Sequence, residues 1–242
     1  MNLDFMDNIK IAHKGLHDDG KTVPENTLAA IKMATEKGYP IEIDIHLTKD
    51  NRIVVIHDDS LSAMVGINKK VKALTYSEIS KYYIKNSNEK IPLLEDVLEV
   101  VAGKVMLFIE LKTYYKVGPL EKELVKLLDK YDGQFAIQSF NPFSVRWFRK
   151  NKPEYIRGLL SCGFELNKYN FIKRVILRNL WLLDLADPHF ISYEISDLTD
   201  KKAKKIKEKK IKLIAWTVAN KDMYEKAQKL CDGIIFEKLT NI

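Results

Sequence analysis

Short runs of β-branched and aliphatic residues alternate with longer helical stretches from end to end of this chain. That alternation is the sequence sign of βαβ units around a mostly parallel sheet. Strands are expected at Ile9 to Ala12, Ile41 to Ile45, Ile53 to Ile56, Val105 to Leu111, Phe135 to Gln138, Ile156 to Leu160, Phe190 to Tyr193, Leu213 to Val218 and Gly233 to Phe236. This is one more than an eight-stranded barrel uses. The second and third are separated by Thr48-Lys-Asp-Asn51, too short for a helical crossover, so the pair reads either as a hairpin or as a local irregularity in a barrel. Pro24-Glu-Asn-Thr27 opens a helix that Lys37-Gly38 closes, and Pro119 opens another that Asp132-Gly133 closes. Residues 60–91 are the least regular and read as a small insertion. With no repeat, low-complexity tract or Pro/Gly-rich linker, one α/β domain is expected over 1–242.

At 242 residues with 46% apolar content the chain can fill a substantial core. Its opening lacks the basic start and apolar stretch of a secretory signal, and no window approaches the roughly 18 apolar residues of a membrane span. A cytoplasmic location is therefore expected. Cys162 and Cys231 lie far apart with no CxxC partner, which argues against a disulfide framework and a cysteine zinc site. The net charge of +7 biases the chain toward anionic partners without naming one.

Five reactive side chains fall at strand ends: His13, Glu42, Asp44, His57 and Glu110. In a parallel α/β barrel the C-terminal strand ends converge, so residues distant in sequence can meet there. Glu42 and Asp44 stand two apart, on one side of a strand, and interrupt an otherwise apolar run. Two like charges facing inward repel unless a cation or proton intervenes, or a core-facing Lys or Arg pairs with them. Glu110 repeats the pattern on another strand, giving three carboxylates for one hard divalent ion such as Ca²⁺ or Mg²⁺. His13 and His57 each follow an apolar strand. Phosphodiester hydrolysis needs a base for the nucleophile and an acid for the leaving alkoxide, and two imidazoles can divide those roles. Lys14 and Lys112 are candidates for phosphate oxygens, although either could equally be solvated.

These residues resemble the glycerophosphodiester phosphodiesterases over nearly the whole chain. Ile11-Ala-His-Lys-Gly15 resembles the family's opening AHRG, Pro24-Glu-Asn-Thr27 its PENT helix start, and Ile41-Glu-Ile-Asp-Ile45 its E-x-D strand. Val54-Val-Ile-His-Asp58 is similar to its VVxHD, and Ile109-Glu-Leu-Lys112 to its EIK strand. Gln138-Ser-Phe140, Trp216-Thr-Val218 and Asp232-Gly-Ile-Ile235 match later elements. The resemblance implies a TIM-like (β/α)8 barrel, distorted near the second and third strands, that hydrolyses glycerophosphodiesters to an alcohol and glycerol 3-phosphate. It gives His13 and His57 the acid–base roles, Glu42, Asp44 and Glu110 the metal, and Glu25, Lys112, Phe140 and Trp216 the lining or support of the substrate pocket. Lys14 stands where the family usually has Arg, exchanging a planar fork for a point charge. The loop after Asp58 lacks the Arg and Thr that often follow.

Two further stretches carry alternatives. Residues 171–185 are apolar but include Lys173, Arg174 and Arg178, which suits either an interfacial flap meeting an anionic membrane or a packed helix with snorkelling cations. Lys201 to Lys212 is lysine-rich. An outer helix with solvated lysines accounts for it better than nucleic-acid binding, because few aromatics interleave. The rival activities are phospholipase-C-like or lysophospholipase-D-like cleavage of a lipid phosphodiester. A non-catalytic barrel binding phosphorylated ligands or membranes is the rival of another class.

Overall fold

The apolar runs form the expected strands, with ends within two residues of those expected: β1 (Ile9–His13), β2 (Ile41–Leu47), β3 (Ile53–Val55), β4 (Leu107–Leu111), β5 (Phe135–Ser139), β6 (Ile156–Ser161), β7 (Phe190–Glu194), β8 (Lys212–Val218) and β9 (Gly233–Phe236). The structure is a computed structural model that describes residues 3–18, 22–114, 116–163 and 180–237. Strand order in the sheet is β1-β9-β8-β7-β6-β5-β4-β2-β3, with β1 also paired to β2, the connectivity of a TIM-like (β/α)8 barrel carrying β3 as an extra strand. Contacts divide the chain into two compact units, residues 12–137 and residues 1–11 with 138–242.

In the first unit β2 runs parallel to the end of β1 and to β4, with His13 opposite Glu42 and Asp44 opposite Glu110. β3 turns back antiparallel on β2, Ile45 facing Val55, so the pair is a hairpin. That reversal has a consequence for chemistry: the Ile56 amide donates to the Asp44 carbonyl at 3.0 Å, which returns the next residue, His57, to the Asp44 end of β2. Helix α1 (Leu28–Glu36) begins where the Thr27 hydroxyl accepts the Ala30 amide, and Gly38 beyond its end takes the left-handed conformation. The insertion builds a small core of its own. Leu61, Val71, Leu74, Ile79 and Ile84 are buried against Val54, Ile56, Ile91 and Leu93. Helices α2 (Leu94–Val101) and α3 (Pro119–Leu128) complete this unit.

In the second unit β6, β7, β8 and β9 are parallel neighbours. Gly158 has no side chain because a Cβ there would lie 2.3 Å from the Phe190 ring. Helix α4 (Pro142–Asn151) is capped by the Asn141 side chain, and α5 (Asp200–Glu208) and α6 (Lys221–Leu230) follow. In α5 Ala203 and Ile206 are buried while Lys201, Lys204, Lys205 and Lys207 are exposed, the pattern of an outer helix with solvated lysines. Most of the basic stretch 171–185 lies outside the described residues; its end carries the exposed Trp181. No described helix is long and apolar enough to cross a membrane.

A pH dependence of stability arises in the second unit. The Arg157 amide donates to His189 Nδ1 at 3.2 Å, so that nitrogen must stay unprotonated. Burial, with the Arg157 guanidinium, pushes His189 down to about 4. A histidine lowered in the folded state contributes its full stability above its unfolded pKa of about 6.5 and loses it as pH falls toward 4. After discounting for partial exposure, this amounts to roughly 1–2 kcal/mol. Urea unfolding from pH 7 to 4.5 should therefore show a decline that His189→Asn makes shallower. An unchanged slope would contradict the assignment.

Candidate active site

Glu42 and Asp44 point to one side of β2, and Glu110 joins them from β4 because it stands opposite Asp44 in the parallel register. One carboxylate oxygen from each of the three lies within 4.8 Å of the others, and all three residues are buried. Lys112, two residues beyond Glu110 and so on the same face, places its Nζ 2.8 Å from Asp44 Oδ1 and 2.6 Å from Glu110 Oε1. Lys14 enters by a different route. It adopts a φ of +55° and Gly15 one of +82°, so the chain turns sharply as β1 ends. A Cβ on Gly15 would fall 2.7 Å from the Ala30 carbonyl carbon, which leaves glycine as the residue that fits. The turn aims the Lys14 amide at Glu42 Oε2, 3.3 Å away, and its Nζ at both Glu25 oxygens, 3.0 and 2.9 Å. Neither lysine is solvated; both are buried.

The charges explain how the cluster holds together. Burial, then Asp44 and Glu110, pushes the Glu42 carboxyl well above its usual range. Glu110 rises to about 7, chiefly through burial, with Lys112 opposing. Burial also works against the Asp44 charge, but Lys112, His57, Lys14 and His13 outweigh it and hold that carboxyl well below its usual value. Lys112 is held well above the usual range, since Asp44 and Glu110 overcome the cost of burying its charge. Among the described residues, Glu25, Glu42, Asp44 and Glu110 face the ammonium groups of Lys14 and Lys112, so protons or a cation must offset the excess. Three buried oxygen donors at this spacing fit a hard divalent cation.

The two histidines stand beside this cluster. His13 Nε2 is 3.7 Å from Glu42 Oε2. His57 Nδ1 lies 2.9 Å from Asp58 Oδ1, and its side chain is 43% exposed, so Nε2 can meet a substrate. Burial lowers the His57 pKa, and the Asp44 charge opposes that shift. Phe140 and Trp216 belong to the second unit, at the ends of β5 and β8. Their rings meet edge to face at 5.6 Å, and Trp216 Nε1 donates to the Ser192 carbonyl at 3.0 Å.

Three residues that spacing alone did not mark take part. Asn26, at a φ of +56° that asparagine tolerates, accepts the Asp44 amide at 3.3 Å and donates from Nδ2 to Asp44 Oδ2 at 2.9 Å. Its own amide donates to the Lys14 carbonyl. His46 Nε2 lies 3.1 Å from the His57 carbonyl oxygen, and Asp58 orients His57. The usable signals are the asparagine inside Pro-Glu-Asn-Thr, the third same-face position of Glu42-Ile-Asp-Ile-His46, and the acid directly after His57.

Fold and site together define a TIM-like barrel protein with a buried carboxylate cluster, ringed by lysines and histidines, suited to a cation and a phosphate. Residues 13–240 match the Glycerophosphoryl diester phosphodiesterase family. The chain belongs to that family. A glycerophosphodiester phosphodiesterase of Caldanaerobacter subterraneus subsp. tengcongensis is 35% identical over 95% of this chain and 94% of its own. Among solved structures, an Oleispira antarctica phosphodiesterase in complex with the product sn-glycerol-3-phosphate superposes with a TM-score of 0.78 at 24% identity, covering 96% of this chain and 94% of that one. A glycerophosphodiester phosphodiesterase from Parabacteroides distasonis gives 0.77 at 24% identity, over 95% and 93%.

Proposed function

We propose that this chain hydrolyses glycerophosphodiesters to an alcohol and glycerol 3-phosphate, with Glu42, Asp44 and Glu110 holding Ca²⁺ or Mg²⁺ and with His13 and His57 moving the protons. The observation that carries the reading is the convergence of three buried carboxylates within 4.8 Å of one another beside both histidines and both lysines. A bound cation would offset phosphate charge and acidify a coordinated hydroxyl. Lys14 and Lys112 bind phosphate oxygens, and Glu25 holds the Lys14 ammonium in place. One imidazole takes the proton of the attacking hydroxyl and the other protonates the leaving oxygen, with Asp58 keeping the Nε2 of His57 turned to the substrate. By the family resemblance, Phe140 and Trp216 line or support the substrate pocket. In this reading residues 1–242 form one domain that acts in the cytoplasm, a compartment that fits Cys162 and Cys231 as reduced thiols.

A human lysophospholipase D that is 31% identical over half of this chain favours keeping a second substrate in view, a lysophospholipid. Parallel assays on glycerophosphocholine and a lysophospholipid decide between them. Higher kcat/KM on the water-soluble diester is expected, and a strong preference for the acylated one would overturn the choice.

Asn26 offers a check on the cation site. Its two hydrogen bonds fix the backbone and carboxylate of Asp44, and such outer partners typically contribute 10–100-fold to metal affinity or activity. Asn26→Ala should therefore weaken Ca²⁺ binding, read by calorimetry, and lower kcat/KM by about that range. Values within twofold of wild type would remove Asn26 from the account.

A further inference from the structure

His46 follows Glu42 and Asp44 on one face of β2, because strand side chains alternate. It is buried, with its Nε2 lying 3.1 Å from the carbonyl oxygen of His57 across the β2–β3 hairpin. A carbonyl oxygen only accepts, so Nε2 carries the hydrogen and donates. A ring nitrogen that donates has no lone pair left for a cation. That sets the Nε2 of His46 apart from the carboxylates that precede it on the same face.

The bond falls where the hairpin ladder gives out. β3 pairs with β2 through Ile53, Val54 and Val55, and the Ile56 amide meets the Asp44 carbonyl one residue short of His57. Beyond His57 the chain turns toward the insertion, where the Val71 amide donates to the Asp59 carbonyl at 2.9 Å. The contact of the His57 ring with Asp58 joins chain neighbours, so it orients the ring without fixing where the residue stands. The His46 bond does fix it, since it reaches across 11 residues to the strand that carries Glu42 and Asp44.

We infer that His46 is a positioning residue: its Nε2–H holds the His57 backbone against β2 and so keeps the His57 imidazole in register with the carboxylate cluster. The inference rests on the reading of His57 as one of the two groups that move protons. Placement of such a group governs rate, because a shift of about 1 Å can cost about 100-fold. A side chain that only filled space could be replaced by another of like volume, whereas a hydrogen bond needs a donor at one point. Two amides separate these roles. Glutamine carries its Nε2 the same number of bonds from Cα as histidine does, while asparagine ends where Nδ1 stands, short of the carbonyl.

The test places His46→Gln and His46→Asn in the full chain, with glycerophosphoethanol as substrate. His46→Asn should lower kcat by about 10–100-fold with KM within about threefold of wild type. His46→Gln, which keeps the donor, should recover kcat to within about threefold. Ca²⁺ affinity, read by calorimetry, should stay within about threefold in both variants, because the bond reaches His57 and not the carboxylates. Equal losses in the two variants, or a loss carried by KM or by Ca²⁺ affinity, overturn the inference. Turnover by the wild type and its loss in His57→Ala test the assignment of His57 by itself. The bond also has a readout that needs neither turnover nor a variant that folds. Nuclear magnetic resonance of the wild-type protein with isotope-labelled histidine should place hydrogen on Nε2 of His46. Hydrogen on Nδ1 alone overturns the inference even if no diester is cleaved.

Discussion

His13→Ala lowers kcat/KM on a glycerophosphodiester by about 10²–10⁴-fold, the usual contribution of a positioned acid or base. Circular dichroism and the urea midpoint stay close to wild type. The side chain is 17% exposed and its ion pair with Glu42 is long, at 3.7 Å, so its removal opens little of the core. His57→Ala gives a loss of similar size, and the double variant loses less than the product of the two, because two groups acting on one transition state are not additive. If both single variants keep more than a tenth of wild-type activity, the acid–base pair is wrongly assigned.

Lys112→Met carries the largest cost in stability. Its ammonium lies between Asp44 and Glu110 with its side chain only 5% exposed, and removing it leaves two buried carboxylates facing each other. Breaking a buried pair from one side typically costs about 3–5 kcal/mol. Urea unfolding should show a loss of that order, and millimolar Ca²⁺ should restore part of it, because a cation at the carboxylates takes over the missing charge. A variant as stable as wild type without cation would show that Lys112 does not balance the cluster.

How much of this was legible in the sequence depends on how local each feature is. Glu42 and Asp44 share a face because strand side chains alternate, so their pairing can be read from two letters with one between. Lys112 follows Glu110 by the same rule, and its burial follows from the carboxylates it meets. Lys14 does not obey that rule, since its inward aim depends on two successive positive φ values at Lys14 and Gly15. Asn26 reads as part of a helix start, and its hold on Asp44 spans 18 residues. The open choice at Thr48 to Asn51 closes as a hairpin because β3 pairs with β2 and brings His57 back to Asp44. Residues 60–91 look irregular because their apolar residues serve a separate small core rather than one helical or strand face.

The most direct test follows release of glycerol 3-phosphate from glycerophosphoethanol after exhaustive chelation, and again after adding back Ca²⁺ or Mg²⁺, with Glu42→Gln in parallel. The account predicts release that stops on chelation, returns with one of the two cations, and is lost in the variant. Release that persists under chelation, or that Glu42→Gln leaves unchanged, would contradict it.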